Sequence, residues 1–280
     1  MKYRHQYHAG NFADVHKHVA LLEVLQALTR KDKGLLFVDT HAGRGDYDLH
    51  PGDREHPAEW QAGVARLLAA TPRHAALVRY HEIVGRGMHG ASLRYAGSPL
   101  LATGVLRPVD RAVFFETQRE ESGHLRKALR EQERERTRVE GTDGFAGLRA
   151  LLPPPERRAC VLLDPPYEER EDLSRALKTA QDALTRLENA VLLLWLPVKL
   201  RTDFDAWFAQ LGAAVARPML ASLLWMHPCD SRAALNGSAL VLINPPYLVE
   251  EGMREWLPEL RALLGGPQSG CEVLVTSERR

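Results

Sequence analysis

Four consecutive residues, Asp164, Pro165, Pro166 and Tyr167, follow an apolar run that opens at Cys160. An aspartate can accept a hydrogen from a planar amine. Proline lacks an amide hydrogen and has a fixed φ, so the pair holds a backbone carbonyl rigidly outward as a second acceptor. An adenine N6 amine needs both acceptors, because its lone pair is delocalised into the ring. It attacks only when its hydrogens are held and the nitrogen is drawn toward a tetrahedral shape. Tyr167 adds a stacking face, which a base reaches only after leaving its own stack. The alternative is a plain strand-ending turn, since Asp and Pro both favour turns. A second motif, Asn244, Pro245, Pro246 and Tyr247, also follows an apolar run. Residue type does not separate the two, but chain order does. In a doubly wound methyltransferase the catalytic loop follows the fourth strand, which Asp164 ends. Asn244 comes two or more strands later and is expected to be structural.

A cofactor site is expected upstream. Asp39, Thr40, His41, Ala42, Gly43, Arg44 and Gly45 follow the first strand-like run, and Gly43 and Gly45 let backbone approach a ligand. Dinucleotide enzymes use the same kind of turn. Here the third glycine that seats a pyrophosphate is missing, which favours S-adenosylmethionine. Glu116 ends the second run, where a carboxylate can accept ribose hydroxyls. Asp143 and Gly144 follow the third, where an acid can hold the adenine amine and glycine permits close stacking. Lys17 or His18, near a helix start, could meet a methionine carboxylate, although an ordinary helix face reads the same way.

The elements that must position these residues alternate. Apolar runs at Leu35–Asp39, Ala112–Glu116, Thr137–Glu140, Cys160–Asp164, Ala190–Leu196 and Ala239–Asn244 read as buried parallel strands. Helical patterns lie between them: Asp14–Thr29 carries Val15, Val19, Leu22, Leu25 and Leu28 on one stripe with Asn11 as cap, and Arg119–Glu135 is highly charged. The fold class is therefore α/β, a doubly wound sheet. The interval Asp46–Arg111 shows no strong strand and is longer than an ordinary crossover. It predicts a mostly helical insertion, 46–111, within a methyltransferase domain of 1–45 and 112–280. Arg66, Arg73, Arg79, Arg86 and Arg94 face a single acid, Glu82, between Trp60 and Ser98. Phosphate contact and a solvated face with snorkelling arginines are both open readings.

Composition excludes little by itself. With Lys plus Arg 37 and Asp plus Glu 36, the net charge is +1, so any basic surface must be local. Three cysteines, Cys160, Cys229 and Cys271, lie far apart without paired ligand spacing. The spacing of His5, His8, His16 and His18 does not match a zinc site, so no metal is expected. Without a membrane-length apolar run or a leader pattern, the protein is expected to be cytoplasmic, and a monomer.

Taken together, these residues resemble the ribosomal RNA large subunit methyltransferase J family of bacteria. The likeness spans nearly the whole chain: Tyr3-Arg4-His5, His8-Ala9-Gly10-Asn11, Ala13-Asp14-Val15, Lys17-His18, Asp39-Thr40-His41-Ala42-Gly43, Gly97-Ser98-Pro99-Leu100, Asp143-Gly144-Phe145, Asp164-Pro165-Pro166-Tyr167 and Asn244-Pro245-Pro246. It implies N6 methylation of one adenine in 23S ribosomal RNA, free of assembled ribosomes, with S-adenosylmethionine as methyl donor. It also implies a Rossmann-like class I methyltransferase fold with a small helical insertion. Carried over by position, it places the cofactor among Lys17, His18, His41, Ser98, Glu116, Asp143, Gly144 and Asp164, makes Asp164 the catalytic carboxylate, and sets Tyr3 against the substrate. Phe12, His16 and Arg44 depart from the family pattern and leave the matched positions intact. Methylation of DNA or protein, an RNA-binding protein with an idle site, and a nicotinamide oxidoreductase are the competing readings.

Overall fold

The computed structural model describes residues 8–49, 58–88, 93–131, 136–168, 171–232 and 235–276. Its main sheet has eight strands. β1 (Leu36–Asp39), β4 (Arg111–Phe115), β5 (Thr137–Glu140), β6 (Ala159–Leu163) and β7 (Val191–Val198) are parallel, and β8 (Met219–Trp225), β9 (Gly237–Ile243) and β10 (Gly270–Thr276) complete it. The order is β10-β8-β9-β7-β6-β1-β4-β5, the class I methyltransferase arrangement with β10 added at one edge. All six expected strands form, within one or two residues of their expected ends.

Two elements of this sheet were not legible. β8 reads Met-Leu-Ala-Ser-Leu-Leu-Trp without a β-branched residue, so propensity does not separate it from a buried helix. β10 is an edge strand whose burial is only partial. The direction of β9 is also new: it runs antiparallel to both β7 and β8.

Alternation along the strands feeds two cores. Leu35 and Phe37 face a layer that includes α1 (Phe12–Thr29), α4 (Ser98–Val105), α5 (Arg119–Glu131) and α9 (Val249–Leu264). Leu36 and Val38 face α6 (Gly144–Leu151), α7 (Asp172–Arg186) and α8 (Arg201–Val215). α1 departs from the one-stripe expectation. From Ala13 to Leu22 every residue is buried, because α3, α4, α9 and β9 all pack against it. A helix enclosed on several sides has no solvent face to keep polar.

The interval after β1 holds α2 (Val64–Leu68) and α3 (Ala75–Gly87), and also two three-residue strands, β2 (Asp46–Asp48) and β3 (Arg94–Ala96), which pair antiparallel. The expectation of no strong strand there missed this ribbon, which is too short to show a periodic pattern. A buried hydroxyl chain keys the interval to α1: His18 Nδ1 meets the Tyr95 hydroxyl at 2.8 Å, and Tyr95 meets the Tyr80 hydroxyl of α3 at 2.8 Å.

Asn11 starts α1 as expected, its Oδ1 accepting from the amides of Ala13 and Asp14, both at 3.0 Å. Its Nδ2 donates to Glu59 at 2.9 Å. Asn11→Ala should therefore lower stability by about 1 to 2 kcal/mol, the usual worth of a side-chain cap, measured as a shift of the urea unfolding midpoint at unchanged slope.

Candidate active site

β1 lies between β4 and β6, and the chain winds away from it in both directions. Ligands of open α/β sheets bind in the crevice at such a switch point, outside the carboxyl ends of the strands. A cleft of about 690 Å³ opens there. It is lined by the turn after β1 (His41, Ala42, Gly43 and Arg44), by Ser98, Glu116, Lys17, His18 and Trp195, and by the loop Asp164 to Tyr167. A smaller annex of about 200 Å³ adds Asp143 and Gly144 and shares His41, Glu116 and Pro166. The expected catalytic loop and glycine turn thus share one rim.

The turn is built around glycine. Gly43 has φ +61°, and a Cβ there would lie 2.4 Å from the Tyr47 hydroxyl, so no other residue fits without displacing Tyr47. The Gly43 amide donates to Glu116 Oε2 at 3.0 Å, and Glu116 Oε1 accepts from the Gln118 amide at 2.7 Å. Glu116 is thereby fixed beside the turn. Arg44 closes the other side, with two 2.7 Å bonds to the Glu121 carboxylate. Gly144 is equally constrained, since a Cβ there would meet the Thr40 carbonyl oxygen at 2.0 Å. Asp143 caps α6 by accepting from the Phe145 and Ala146 amides, and Arg175 binds its other oxygen.

At the acceptor end the central feature is an ion triad. Lys17 Nζ lies 2.6 Å from Asp164 Oδ2 and 2.8 Å from Asp14 Oδ1, with the Lys17 side chain 4% exposed. Burial favours the neutral amine, but the two carboxylates hold the Lys17 pKa well above that of a free lysine. The Gly10 amide donates to Asp14 Oδ2 at 2.9 Å. Among the described residues no donor reaches Asp164 Oδ1. Lys17 or His18 was expected near a cofactor carboxylate; in the structure the Lys17 ammonium is paired with Asp14 and with Asp164 of the expected catalytic loop.

Tyr167 sits at φ 52°, a left-handed conformation uncommon for a side chain of this size. It turns the loop so that its hydroxyl donates to the Trp195 carbonyl at 2.5 Å. Its ring is half-buried, 5.9 Å from the Trp195 indole. Ser98 opens α4, and its hydroxyl donates to Asp39 Oδ2 at 2.7 Å. His41 contacts Phe145 edge-on at 4.7 Å between ring centroids, and burial pushes its pKa down to about 4, so it stays neutral. His18 is 1% exposed, with Nδ1 on Tyr95. Tyr3 lies outside the described residues.

A sequence model of the family described as "Ribosomal RNA large subunit methyltransferase D, RlmJ" matches residues 32–275. The chain belongs to this family. It is 36% identical over 266 residues to the ribosomal RNA large subunit methyltransferase J of Haemophilus influenzae, covering 94% of each chain. It is also 36% identical over 265 residues to the Escherichia coli protein of that description, again over 94% of each. A solved structure, protein LPL1258 of Legionella pneumophila, superposes with a TM-score of 0.86 at 29% identity, over 97% of this chain and 99% of that one.

Several features of this RlmJ-family chain were not evident from spacing. Asp14 is one, although its i, i+3 placement before Lys17 was a signal for an ion pair. The bond from Ser98 to Asp39 and the place of Trp195 in the cleft are the others; both needed the strand order. In contrast, none of Arg66, Arg73, Arg79, Arg86 and Arg94 lines the cleft. Arg66 donates to the Leu264 carbonyl at the end of α9, and Arg94 pairs with Asp46. The N-P-P-Y motif lies at the opposite sheet edge, because β9 is antiparallel. Asn244 Nδ2 donates there to the carbonyls of Glu188 and Ala190, at 2.9 and 2.8 Å. Cys160 is buried, with its thiol pushed up to about 12, and supplies no nucleophile. Among the described residues no cluster of His, Cys, Asp or Glu could hold a metal, and no helix is long and apolar enough to cross a membrane.

Two outcomes follow from these electrostatics. Lys17→Met strands two carboxylates and should reduce stability by about 3 to 5 kcal/mol, as when one partner of a buried ion pair is removed; urea unfolding measures it. Asp39 is fully buried, and burial pushes its carboxyl up to about 7 against the bonds from Ser98 and the His41 amide. An unfolded aspartate releases its proton at about 3.9, so between about pH 4 and 7 the folded state binds more protons. Its contribution is present at low pH and lost as pH rises through that window. Asp39→Asn should flatten that decline, read from unfolding free energies at a series of pH values.

Proposed function

We propose that this chain transfers a methyl group from S-adenosylmethionine to N6 of an adenine in 23S ribosomal RNA. The observation that carries the reading is the Asp164 carboxylate: one oxygen is anchored by Lys17 and the other meets no donor among the described residues, on the rim that also holds the Gly43 turn. When bound, the cofactor supplies an electrophilic methyl on a sulfonium. The cleft suits such a group, because Asp14, Glu59, Glu116, Glu120, Glu121 and Asp164 outnumber Lys17, Arg44 and Lys199 along its walls. Glu116, fixed by the Gly43 and Gln118 amides, is placed to receive the ribose. His41, Asp143 and Gly144, around the annex, are placed to receive the adenine. Ser98, His18 and Lys17 border the amino-acid end.

At the acceptor, Asp164 Oδ1 takes one hydrogen of the adenine amine and the Pro165 carbonyl takes the other. Pro166 holds the turn rigid, and Tyr167 packs against the base, which has left its helix. Lys17 anchors Asp164 through Oδ2, which leaves Oδ1 to accept the proton that the amine sheds as its new bond to carbon forms and the carbon–sulfur bond breaks. No covalent enzyme intermediate is involved. Protein-free or early-assembly RNA is the substrate, and the chain acts as a monomer. The insertion, 46–111, closes the cofactor side of the cleft through Tyr47 and Glu59.

The test is competitive transfer of labelled methyl among protein-free 23S ribosomal RNA, duplex DNA and total protein, followed by nucleoside mass analysis. N6-methyladenosine in the RNA is the expected product; label confined to DNA or protein would contradict the reading. Asp164→Asn should lower turnover at least about a hundredfold, the loss typical for a preorganised group acting on the transition state, while calorimetric affinity for S-adenosylhomocysteine changes little.

A further inference from the structure

The deepest unexplained feature is a polar relay inside the apolar layer beneath α1. His16, Ser222 and Ser238 are each 0% exposed. His16 Nε2 meets the Ser222 hydroxyl at 2.8 Å and His16 Nδ1 meets the Ser238 hydroxyl at 3.0 Å, and the Ser238 oxygen accepts from Trp195 Nε1 at 2.9 Å. Burial drives the His16 pKa down to about 3, so the imidazole is neutral, with one donor and one acceptor for the two serines. Groups of this kind are costly to bury and are tolerated only when every member is satisfied. Among the described residues the relay reaches the cleft through the indole edge of Trp195.

Trp195 in turn meets the catalytic loop. Its carbonyl accepts from the Tyr167 hydroxyl, and Lys17 Nζ stands 5.6 Å from its ring centroid. From Trp195 the strand runs outward. Alternate side chains of a strand share a face, and Trp195, Pro197 and Lys199 all line the cleft. Exposure increases along the row: Trp195 and Pro197 are half-buried and Lys199 is exposed. Among the described residues no carboxylate pairs with Lys199. Asn236 pins the Lys199 carbonyl at 2.9 Å. The row spans about 13 Å, at the usual rise per strand residue.

We infer that this face of β7 is the acceptor track: the target base lies against the Trp195 indole and a phosphate of the same RNA segment meets Lys199. His16 and Ser238 act as positioning residues that fix the plane of the indole. The inference rests on the cleft being an RNA methyltransferase site. It adds a wall and an exit path that the D-P-P-Y loop does not provide.

The test uses the full chain with protein-free 23S ribosomal RNA and, separately, adenosine 5′-monophosphate. Trp195→Ala should raise KM for the RNA roughly 5- to 150-fold, the range for losing one base–aromatic stack, with unchanged affinity for S-adenosylhomocysteine. Trp195→Phe should retain most RNA affinity. Ser238→Ala should raise KM less than Trp195→Ala and leave kcat nearly intact. Lys199→Gln should reduce the salt slope of RNA binding by about 1. Tyr247→Ala, 85% exposed at the far sheet edge, should change none of these. Adenosine monophosphate should quench the tryptophan fluorescence of the wild type and not of Trp195→Phe.

A folded Trp195→Ala protein with unchanged KM for RNA overturns the inference, as does equal quenching of wild type and Trp195→Phe. If Trp195→Ala does not fold, the quenching comparison and the Lys199→Gln salt slope decide. If the wild type methylates no RNA, the functional reading fails, and the quenching comparison still decides whether the indole is a base-binding wall.

Discussion

A lysine ammonium held between two carboxylates in a nearly dry site governs the arrangement of this protein. Taking charges out of water is expensive, and mutual attraction compensates only when the geometry is tight. Asp14 and Lys17 come from α1, and Asp164 comes from the loop after β6. The triad therefore fixes helix and loop relative to one another to within hydrogen-bond tolerance. The enclosure of the first half of α1 supports this requirement. A helix free to roll on one stripe would not hold an ammonium in register with a loop carboxylate.

Strand direction does the next most important thing, which is to set two nearly identical segments on opposite rims of the sheet. Both Asp164 and Asn244 follow a fully buried strand and lead into Pro-Pro-Tyr, and each segment contains a residue with positive φ, Tyr167 in one and Asn244 in the other. β6 is parallel to β1, so its loop opens on the rim with the glycine turn. β9 is antiparallel to β7, so its loop opens on the other rim, where the Asn244 amide is spent on backbone carbonyls.

Buried polar chains complete the frame. His18, Tyr95 and Tyr80 connect α1 to the inserted segment, and His16, Ser222 and Ser238 connect α1 to the outer strands. Each histidine is adjacent to Lys17 in sequence or one residue from it, so the helix that carries the ammonium is restrained from both flanks. Fully satisfied networks in a low-dielectric interior rigidify what they join, and here they join α1 to β7, β8, β9 and the inserted segment.

The sequence alone determined the alternating strands and helices, the cap at Asn11, the glycine turn after β1 and the D-P-P-Y loop after β6. These features are written in local chemistry: apolar runs, φ requirements of Gly and Pro, and side chains that bond to nearby amides. Chain order also told the two Pro-Pro motifs apart, and they end strands of opposite direction. Only the tertiary structure decided that Lys17 serves Asp164, that Ser98 spends its hydroxyl on Asp39, and that Trp195 stands beside them. It alone also showed that the arginines of the insertion lie away from the cleft. Each of these depends on residues far apart in the chain, brought together by strand order and by burial, and no local pattern encodes a distance of that kind.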